Sequence, residues 1–445
     1  MQEYDVIVIG AGSGLDIATA YNTKGSKVAL IEPGPLGGTC LNRGCIPSKM
    51  LIHRAELLSS IKQSEKFGIE AKLENVDFTE IIKEVNNTVQ RDSKAIKNGV
   101  ESSENYDLYR SKARFVDNKV IDVDGEKLTA EKIFIAAGTR PFIPPIKGVE
   151  DVNYLTSSDA LELEQKPESL IIVGGGYIAA EMAFFFSEMG VDVTVVERSE
   201  RLLIREDQEI SEKFTDIAKE KYRVILNTQA EEIEENGEKR VYLENGEVLE
   251  AEQILMATGR RPNTDELGLE HTEIETDEQG FIETNEYMEA SIEGVYALGD
   301  IAGKHMFKHS ANLEAQYAYL NSIGEKEQVD YRAMPHAVFS KPQIAGVGET
   351  EQELEESGIE YRKAVHKYSA TGMGMALKEE NGFAKVLASK NGEILGVHII
   401  GPEASTLIHE VLPIMRQNGE IEDIQDTIHI HPALSEVVGR AFDKI

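Results

Sequence analysis

The sequence predicts an α/β fold in which two similar strand–helix–strand units precede a C-terminal α+β region. Two observations predict the similar units. A buried strand pattern runs into a glycine-rich turn and then a helix at residues 6–14, and the same pattern occurs again at residues 170–179. The third observation concerns the C-terminal region, where apolar strand patterns at 383–388 and 394–400 are followed by helical patterns after Gly401. Such a succession indicates an antiparallel sheet that carries helices.

Length and composition limit the class of protein. A chain of 445 residues, 41% hydrophobic and 28% charged, fits a globular protein of two to four domains. A strand pattern begins at Tyr4, which leaves no room for a signal peptide, and no apolar run approaches the ~20 residues of a membrane span. With only two cysteines, we expect a cytoplasmic protein.

The charge of the chain is strongly negative. A formal net charge of −33 makes nucleic acid and anionic membranes poor partners. The acidic residues are spread along the whole chain, for example at 231–235 and 349–356, rather than gathered in a tail. We therefore expect a halophilic protein whose acidic surface is adapted to high salt.

The first unit carries a dinucleotide-binding pattern. Gly10, Gly12, Ser13 and Gly14 follow the first strand, and Glu32 ends the next strand about 20 residues later. A carboxylate at that point accepts hydrogen bonds from ribose hydroxyls, while backbone N–H groups at the helix start bind a pyrophosphate. The third glycine of the pattern is replaced by leucine at position 15, which predicts looser packing of the helix on the strand.

The second unit repeats this pattern. Gly174, Gly176, Tyr177 and Ile178 follow a buried strand, and Glu197 ends the strand after the helix. Two copies predict two Rossmann-like dinucleotide-binding domains. Because a cysteine pair follows the first unit and side chains cannot carry hydride chemistry, we expect FAD in the first domain and NAD(P)H in the second.

The two cysteines lie in one short segment. Cys40 and Cys45 in a regular helix would hold their Cα atoms about 8.6 Å apart, beyond the roughly 7 Å limit for a disulfide. If they pair, the segment is distorted around Gly44. Such a small ring adds little stability, so the spacing indicates a redox-active disulfide. A static disulfide and half of a metal site are the alternatives, although no second cysteine pair or histidine cluster completes a zinc site.

These motifs resemble those of the class I pyridine-nucleotide disulfide oxidoreductases, a family that includes dihydrolipoamide dehydrogenase, glutathione reductase, mycothione reductase and mercuric reductase. The resemblance covers essentially the whole chain. Besides the first glycine loop, it rests on the segments 37–49, 135–141, 255–263, 294–300 and 429–436. It implies a homodimeric flavoprotein that moves electrons from NAD(P)H through FAD and a redox disulfide to a disulfide substrate (EC 1.8.1.-).

The resemblance implies a role for each catalytic residue. Cys45 would lie against FAD as the charge-transfer thiolate, and Cys40 would be the interchange thiol that attacks the substrate. Lys49 would lie near flavin N5 and pair with Glu181. Tyr177 would cover the nicotinamide pocket and move away when NAD(P)H enters.

Further cofactor contacts are implied at positions in or near the motifs. Asp300 would hold the ribityl chain of the flavin, and His309 would begin a helix whose N–H groups lie near the flavin O2 edge. The remaining implied positions are Gly38, Thr39, Ala113, Gly138 and Gly259.

The acid–base step is predicted at His431. An interchange thiol needs a proton acceptor with a pKa near neutrality, and imidazole supplies one. Glu436 can orient the ring and stabilise its charged form. The resemblance implies that this pair acts across the interface of a homodimer, so that neither site is complete in a monomer.

The substrate and the coenzyme remain open. The likeness is closest to mycothione reductases, through residues 12–14, 154–158, 308–312 and 401–434, and implies a low-molecular-weight disulfide such as mycothione or bis-γ-glutamylcystine. Dihydrolipoamide dehydrogenase is the alternative. A mercuric reductase is less favoured because the chain ends without a cysteine pair, and a noncatalytic flavoprotein is least favoured.

The coenzyme preference rests on opposed charges. Glu197 favours NADH because it repels a 2′-phosphate. Arg198, Arg201 and Arg205 follow and are suited to binding that phosphate.

We expect an FAD-binding domain at 1–149, an NAD(P)-binding domain at 150–269, a central segment of the FAD domain at 270–333 and an interface domain at 334–445.

Overall fold

A computed structural model describes all residues, 1–445, and confirms the α/β fold. The chain divides into two compact units, each built from separate stretches of sequence. The first unit comprises Met1–Met50, Glu80–Phe142 and Gly259–Asp330. The second unit comprises Leu51–Thr79, Ile143–Thr258 and Tyr331–Ile445. None of the helices combines the length and the apolar character needed to span a membrane.

The strands are short and lie throughout the chain. In order they are β1 (Gln2–Ile9), β2 (Val28–Ile31), β3 (Tyr106–Tyr109), β4 (Arg114–Asp117), β5 (Val120–Val123), β6 (Glu126–Ile135), β7 (Thr139–Pro141), β8 (Ser169–Val173), β9 (Asp192–Val196), β10 (Arg223–Ile225), β11 (Ala230–Asn236), β12 (Glu238–Leu243), β13 (Val248–Ala251), β14 (Gln253–Met256), β15 (Arg260–Pro262), β16 (Val295–Ala297), β17 (His336–Val338), β18 (Gln343–Gly348), β19 (Arg362–Lys367), β20 (Phe383–Ala388) and β21 (Ile394–Gly401).

The helices connect these strands and cover their sheets. In order they are α1 (Gly14–Thr23), α2 (Gly38–Arg43), α3 (Cys45–Lys62), α4 (Phe78–Glu101), α5 (Ser157–Leu161), α6 (Tyr177–Glu188), α7 (Gln208–Lys221), α8 (Lys308–Ser322), α9 (Glu351–Glu356), α10 (Gly372–Ala376), α11 (Ala404–Leu407), α12 (Leu412–Arg416), α13 (Ile421–Gln425) and α14 (Glu436–Phe442).

The first unit is built on a seven-stranded sheet in the order β3-β2-β1-β6-β5-β4, with β16 also paired to β6. The pairs among β1, β2, β3, β6 and β16 are parallel. Strand β1 is buried on both faces, with Ile7 and Ile9 in one apolar cluster and Val6 and Val8 in another. Burial on both faces explains the continuous apolar sequence of β1. Because β1 and β2 are parallel, their C-terminal ends lie at one edge of the sheet.

The second unit contains three sheets. A parallel sheet has the order β10-β9-β8-β14, and a separate antiparallel sheet has the order β11-β12-β13. The C-terminal sheet has five antiparallel strands in the order β17-β18-β21-β20-β19. Its apolar face packs with Val437, Val438 and Phe442 of α14, so the predicted antiparallel sheet with helices is confirmed.

Candidate active site

The first glycine loop requires glycine because other backbone lies against it. Gly10 has a φ of +101°, and a Cβ there would overlap the carbonyl oxygen of Ala136. A Cβ on Gly14 would lie 2.8 Å from Cγ1 of Val8. Helix α1 therefore packs closely on β1 at Gly14, and the looser packing predicted from Leu15 is wrong.

The carboxylate of Glu32 faces this loop, as the sequence pattern predicted. Its Oε2 accepts a hydrogen bond from the backbone N–H of Ala11 at 2.9 Å, and its Oε1 accepts one from Gly34 at 2.8 Å. The loop thus combines a closely packed glycine backbone, a helix N-terminus and a carboxylate at the edge of a parallel sheet. These are the features that bind the pyrophosphate and ribose of a dinucleotide, so the residues fit FAD.

The segment that carries the cysteines packs directly on the first glycine loop. Gly38 has a φ of +64°, and a Cβ there would lie 2.5 Å from the Cα of Gly12. The N–H of Gly37 donates to the carbonyl of Ala11 at 3.0 Å. These contacts position α2, in which Thr39 and Cys40 are the next residues, beside the candidate FAD site.

The predicted distortion at Gly44 is confirmed. Helix α2 ends at Arg43 and α3 begins at Cys45, with Gly44 between them at a φ of −147° and a ψ of −118°. A Cβ on Gly44 would lie 2.9 Å from the carbonyl oxygen of Thr39. The break brings the side chains of Cys40 and Cys45 within hydrogen-bonding distance of each other.

The two thiols differ in their surroundings. Cys40 is half-buried and Cys45 is exposed. The hydrogen bond to Cys45, followed by burial, raises the pKa of the Cys40 thiol well above its usual range, while the charges of Lys308 and Lys49 act in the opposite direction. Cys40 therefore needs a base to react as a thiolate near neutral pH.

A lysine that sequence reasoning did not assign to the site contacts the first glycine loop. The Nζ of Lys308 donates to Oγ of Ser13 at 2.8 Å and to Oδ1 of Asn312 at 2.5 Å. Lys308 begins α8, in which His309 is the second residue, stacked on Phe307 with ring centroids 5.3 Å apart. In the sequence, the only indication that Lys308 belongs to the site was the resemblance of the segment 308–312 to mycothione reductases.

Asp300 lies beside strand β7 of the first unit. Oγ1 of Thr139 donates to Oδ2 of Asp300 at 2.9 Å, and Nε of Arg260 donates to the same Thr139 hydroxyl at 2.7 Å. Strands β7 and β15, which follow Gly138 and Gly259, pair antiparallel here. Sequence reasoning missed Thr139 and Arg260. The predicted position Ala113 is separate, buried in the core of the same unit.

The second glycine loop repeats the first one. Gly174 has a φ of +115°, and a Cβ there would overlap the carbonyl oxygen of Ala257. A Cβ on Gly175 would lie 2.8 Å from Cγ of Glu197. The Oε1 of Glu197 accepts from the N–H of Ser199 at 2.8 Å. This loop, with Gly176 before α6, therefore fits a second dinucleotide.

Tyr177 and Ile178, the first residues of α6, lie beside this loop. The hydroxyl of Tyr177 donates to Oε1 of Glu206, and Oε2 of Glu206 lies 2.9 Å from Nε2 of His336. Burial and the charge of Glu206 raise the pKa of Tyr177 far above its usual range. Burial opposes the charge of Glu206, but hydrogen bonds from His336 and Tyr177 outweigh it and lower its pKa. Sequence reasoning missed Glu206 and His336.

The remaining predicted residues of the second unit are held by ordinary contacts. Glu181 is buried in α6, and its Oε1 accepts from the N–H of Phe339 at 3.0 Å. Among the arginines suggested for a 2′-phosphate, Arg201 pairs with Glu200. Arg198 and Arg205 are exposed.

The predicted acid–base pair is formed in the structure. Nδ1 of His431 lies 2.9 Å from Oε1 of Glu436, and the imidazole is 69% exposed. The same Oε1 accepts from Arg440 at 2.9 Å. The hydrogen bonds from His431 and Arg440 lower the pKa of Glu436 to about 2. Arg440 was missed, although its spacing of four residues on α14 predicts the contact. His429 pairs separately with Glu410.

Comparison with protein families identifies both parts of the chain. Residues 4–316 match the pyridine nucleotide-disulphide oxidoreductase family, and residues 334–442 match the dimerisation domain of the same family. The second match supports a homodimer.

Curated relatives align over nearly the whole chain. A mycothione reductase of Mycobacterium tuberculosis is 35% identical over 99% of each chain. A dihydrolipoyl dehydrogenase of Chlamydia pneumoniae is 36% identical over 98% of this chain and 95% of its own length. A mercuric reductase of Staphylococcus aureus is 33% identical over 99% of this chain and 83% of its own length.

Among solved structures, the Cu(II) complex of the HOCl-induced flavoprotein disulfide reductase RclA from Escherichia coli superposes with a TM-score of 0.91. It is 27% identical, and the alignment covers 100% of both chains. The chain therefore belongs to the pyridine nucleotide-disulphide oxidoreductases, a family of oxidoreductases that depend on FAD and use NAD(P)H.

Proposed function

We propose that this protein is an FAD-dependent NAD(P)H:disulfide oxidoreductase that reduces a low-molecular-weight disulfide of the mycothione or bis-γ-glutamylcystine type. The observation that carries the proposal is the position of Cys40 and Cys45. Their thiols are hydrogen-bonded to each other at a helix break, on a segment whose Gly38 packs against Gly12 of the candidate FAD loop. A redox pair held beside a dinucleotide site is suited to disulfide exchange.

The residues that would hold FAD belong to the first unit. They are Gly10, Gly12, Ser13, Gly14, Glu32, Gly38, Thr39, Lys49, Ala113, Gly138, Gly259, Asp300 and His309. Bound FAD supplies the two-electron transfer between NAD(P)H and the cysteine pair. NAD(P)H would bind at Gly174, Gly176, Tyr177, Ile178, Glu197 and Arg198. We assign FAD binding to a domain at 1–149 that is completed by the segment 270–333. We assign NAD(P)H binding to a domain at 150–269 and the subunit interface to a domain at 334–445.

The reduced cysteine pair performs the exchange in two steps. Cys40, as a thiolate, attacks one sulfur of the substrate disulfide, which forms a mixed disulfide and releases one substrate thiolate. Cys45 then attacks Cys40, which closes the Cys40–Cys45 disulfide and releases the second thiolate. The two protons that the cysteines lose are gained by the two products, so that one disulfide is reduced as the other forms.

His431 moves these protons. Because the pKa of Cys40 is raised, a base is needed to form its thiolate, and the imidazole of His431 can then return that proton to the first departing thiolate. Glu436 holds the ring through Nδ1 at 2.9 Å, which leaves Nε2 to carry the proton. Lys49 and Glu181 are proposed as two further catalytic residues.

The acid–base pair would act across a homodimer, with His431 of the partner subunit serving each cysteine pair. Two isoleucines next to this histidine support the proposal. Ile428 is 97% exposed and Ile430 is 78% exposed, in a region that matches the family's dimerisation domain. Large apolar side chains at such exposure are suited to burial against a second subunit.

The proposed substrate is tested by steady-state assays with purified enzyme and both coenzymes. We expect mycothione or bis-γ-glutamylcystine to give a kcat/KM at least tenfold above that of lipoamide. A preference for lipoamide by orders of magnitude would assign the chain to dihydrolipoamide dehydrogenase instead, for which the relative at 36% identity is the precedent.

Reduction of a thiophilic metal ion is the second candidate. The observation that favours it is the exposed Cys45 beside Cys40, because paired thiols bind soft metal ions well. A mercuric reductase at 33% identity and the Cu(II) complex of RclA are the corresponding relatives. Hg(II) and Cu(II) therefore belong in the same assay panel. Coenzyme oxidation that needs a metal ion and no disulfide would favour this candidate.

A further inference from the structure

We propose that Arg440 is a positioning residue for the acid–base pair. Because Arg440 and His431 share one oxygen of Glu436, Arg440 weakens the hold of this carboxylate on the proton of the imidazole. His431 is thereby kept able to accept a proton. The proposal rests on the proposed function in one respect, namely that His431 is the base for Cys40.

The imidazole and the guanidinium meet at one carboxylate oxygen. Oε1 of Glu436 lies 2.9 Å from Nδ1 of His431 and accepts a hydrogen bond from Nη2 of Arg440, also at 2.9 Å. Oε2 of Glu436 accepts a hydrogen bond from the backbone N–H of Ala433 at 3.2 Å. The side chain of Glu436 is buried, so these contacts fix the orientation of the carboxylate.

Helix α14 brings the acid and the arginine together. Glu436 is its first residue and Arg440 lies one turn later, the spacing at which side chains of a helix lie side by side. A guanidinium keeps its charge at every pH that a protein meets. Hydrogen bonds from His431 and Arg440 lower the pKa of Glu436 to about 2, so the carboxylate is ionised wherever an imidazole titrates. Both charges are therefore present while His431 gains or loses its proton.

The charge of Arg440 opposes the charge of Glu436. A carboxylate that is bonded to an imidazole favours the protonated ring, whereas a nearby cation favours the neutral ring. Nη2 of Arg440 and Nδ1 of His431 lie within about 6 Å of each other, because each is 2.9 Å from the same oxygen, and at that distance in water a unit charge shifts a titration by about 0.5 pH units. Arg440 therefore favours the neutral imidazole, which is the form that can accept a proton from a thiol.

Other titratable groups surround the pair from neighbouring elements. They are His429, Glu410, His366, Asp443 and Lys444. His429 pairs with Glu410, Asp443 is exposed, and burial lowers the pKa of His366, which keeps that ring neutral near pH 7.

Two further helices adjoin the pair without adding charge to it. A Cβ on Gly372, the first residue of α10, would lie 3.7 Å from Cε1 of His431, and α10 contains no charged residue. From α13, the uncharged Ile424 and Gln425 line the pocket beside Glu436. Arg440 is therefore the cation that acts on the carboxylate.

The test follows protonation of His431 with diethyl pyrocarbonate, which modifies a neutral imidazole and spares a protonated one. The holoenzyme is treated at a series of pH values across about pH 5–8, and modification of His431 is measured by mass spectrometry. Arg440→Gln removes the charge from a side chain that is 46% exposed, so the fold is retained. We expect the midpoint of modification to rise by about 0.5 pH units or more, because Glu436 then acts on the imidazole without an opposing cation.

Two further variants separate the charge of Arg440 from other effects. Arg440→Lys restores a cation at the same helical spacing, so its midpoint should return to that of the wild type. Lys444→Gln is the matched control, because it removes a cation from the same end of the chain, where Nζ of Lys444 donates to the carbonyl of Val365 at 3.0 Å. Its midpoint should equal that of the wild type. A midpoint in Arg440→Gln that stays or falls overturns the proposal, and so does an equal rise in Lys444→Gln.

Activity distinguishes this proposal from the proposed function. With mycothione as the probe, Arg440→Gln should lose kcat near neutral pH and recover it at higher pH, where the imidazole becomes neutral, while KM stays unchanged. A higher KM with an unchanged pH profile overturns the proposal and makes Arg440 a substrate-binding residue. If His431→Gln reduces mycothione as fast as the wild type, the base assigned in the proposed function is wrong, whereas the midpoint of modification still decides whether Arg440 acts on the pair.

Discussion

Gly12 and Gly38 touch backbone to backbone, so that the loop proposed to bind FAD packs directly against helix α2, which carries Cys40. A Cβ on Gly38 would lie 2.5 Å from the Cα of Gly12, at a φ of +64°. No flexible side chain lies between the two segments to absorb a change. The distance between the loop proposed to bind FAD and the cysteine segment is therefore set by two residues that have no side chains.

Replacing Gly38 tests this relationship. Gly38→Ala should lower both the FAD content of the purified protein and its disulfide reductase activity by at least tenfold, because the methyl group separates the loop from α2. FAD content is measured by absorbance per protein. Gly25→Ala is the control, since Gly25 also has a positive φ of +86° but no atom lies within 4 Å of its added Cβ. Both variants bear about 1–2 kcal/mol of backbone strain, so equal FAD loss in the two would contradict the prediction.

The hydrogen bond between the two thiols makes a second prediction, for the reduced enzyme. It is the largest cause of the raised pKa of Cys40, so Cys45→Ala should lower that pKa. The rate of Cys40 alkylation by iodoacetamide, followed against pH by mass spectrometry, should therefore rise at a lower pH in Cys45→Ala than in the wild type. Cys40→Ala is the companion variant, in which only the exposed Cys45 reacts. A midpoint for Cys40 that does not move, or moves upward, would show that the hydrogen bond does not control its reactivity.

Much of the fold and of the site could be predicted because the deciding residues lie in short continuous motifs. The two glycine loops, Glu32, Glu197 and the cysteine segment each combine one strand end with the turn after it. Even the break at Gly44 follows from the spacing of the cysteines. The prediction of loose packing between α1 and β1 failed because it considered Leu15 alone. The close contact is made by its neighbour Gly14, against Val8 of β1.

The residues that sequence reasoning missed make contacts between distant parts of the chain. Glu206 and His336 are 130 positions apart, Thr139 and Arg260 are 121 apart, and Ser13 and Lys308 are 295 apart. No local pattern marks such partners, because side-chain hydrogen bonds depend on tertiary structure. Arg440 is the exception, since helical spacing relates it to Glu436.

A buried lysine supplies a stability prediction. Lys385 is fully buried and its Nζ lies 2.9 Å from Oδ1 of the buried Asp207 and 2.5 Å from Oε2 of Glu351. Lys385→Met leaves the buried Asp207 without its cation, although Lys363 still pairs with Glu351, and should lower the free energy of unfolding by about 3–5 kcal/mol. Chemical denaturation measures it. Lys390→Met, which breaks an exposed pair with Glu360, should cost about 0–1 kcal/mol. Similar losses of stability in the two variants would mean that burial does not determine how much each lysine contributes to the free energy of unfolding.

The acid of the His–Glu pair makes stability depend on pH. The pKa of Glu436 is lowered to about 2 from its usual 4.5, so its ionised form contributes stability that is fully present above pH 4.5 and is lost as the pH falls towards 2. Glu436→Gln should therefore be less stable than the wild type at pH 7, with a gap that narrows between pH 4.5 and pH 3. Glu80→Gln is the control, because Glu80 is exposed and its pair with Lys83 lies at the surface. A gap that stays constant over this range would exclude the linkage.

The net charge of −33 predicts that salt stabilises the protein. Like charges spread over the surface repel each other in the folded state, and the screening length falls from about 30 Å at 0.01 M salt to about 3 Å at 1 M. The melting temperature should therefore rise steadily with KCl and approach a plateau near molar concentration, and activity should persist there. Sucrose at matched osmolality is the control, because it favours compact states without screening charge. A melting temperature that KCl does not change would mean that the acidic surface is a solvated coat without adaptation to high salt.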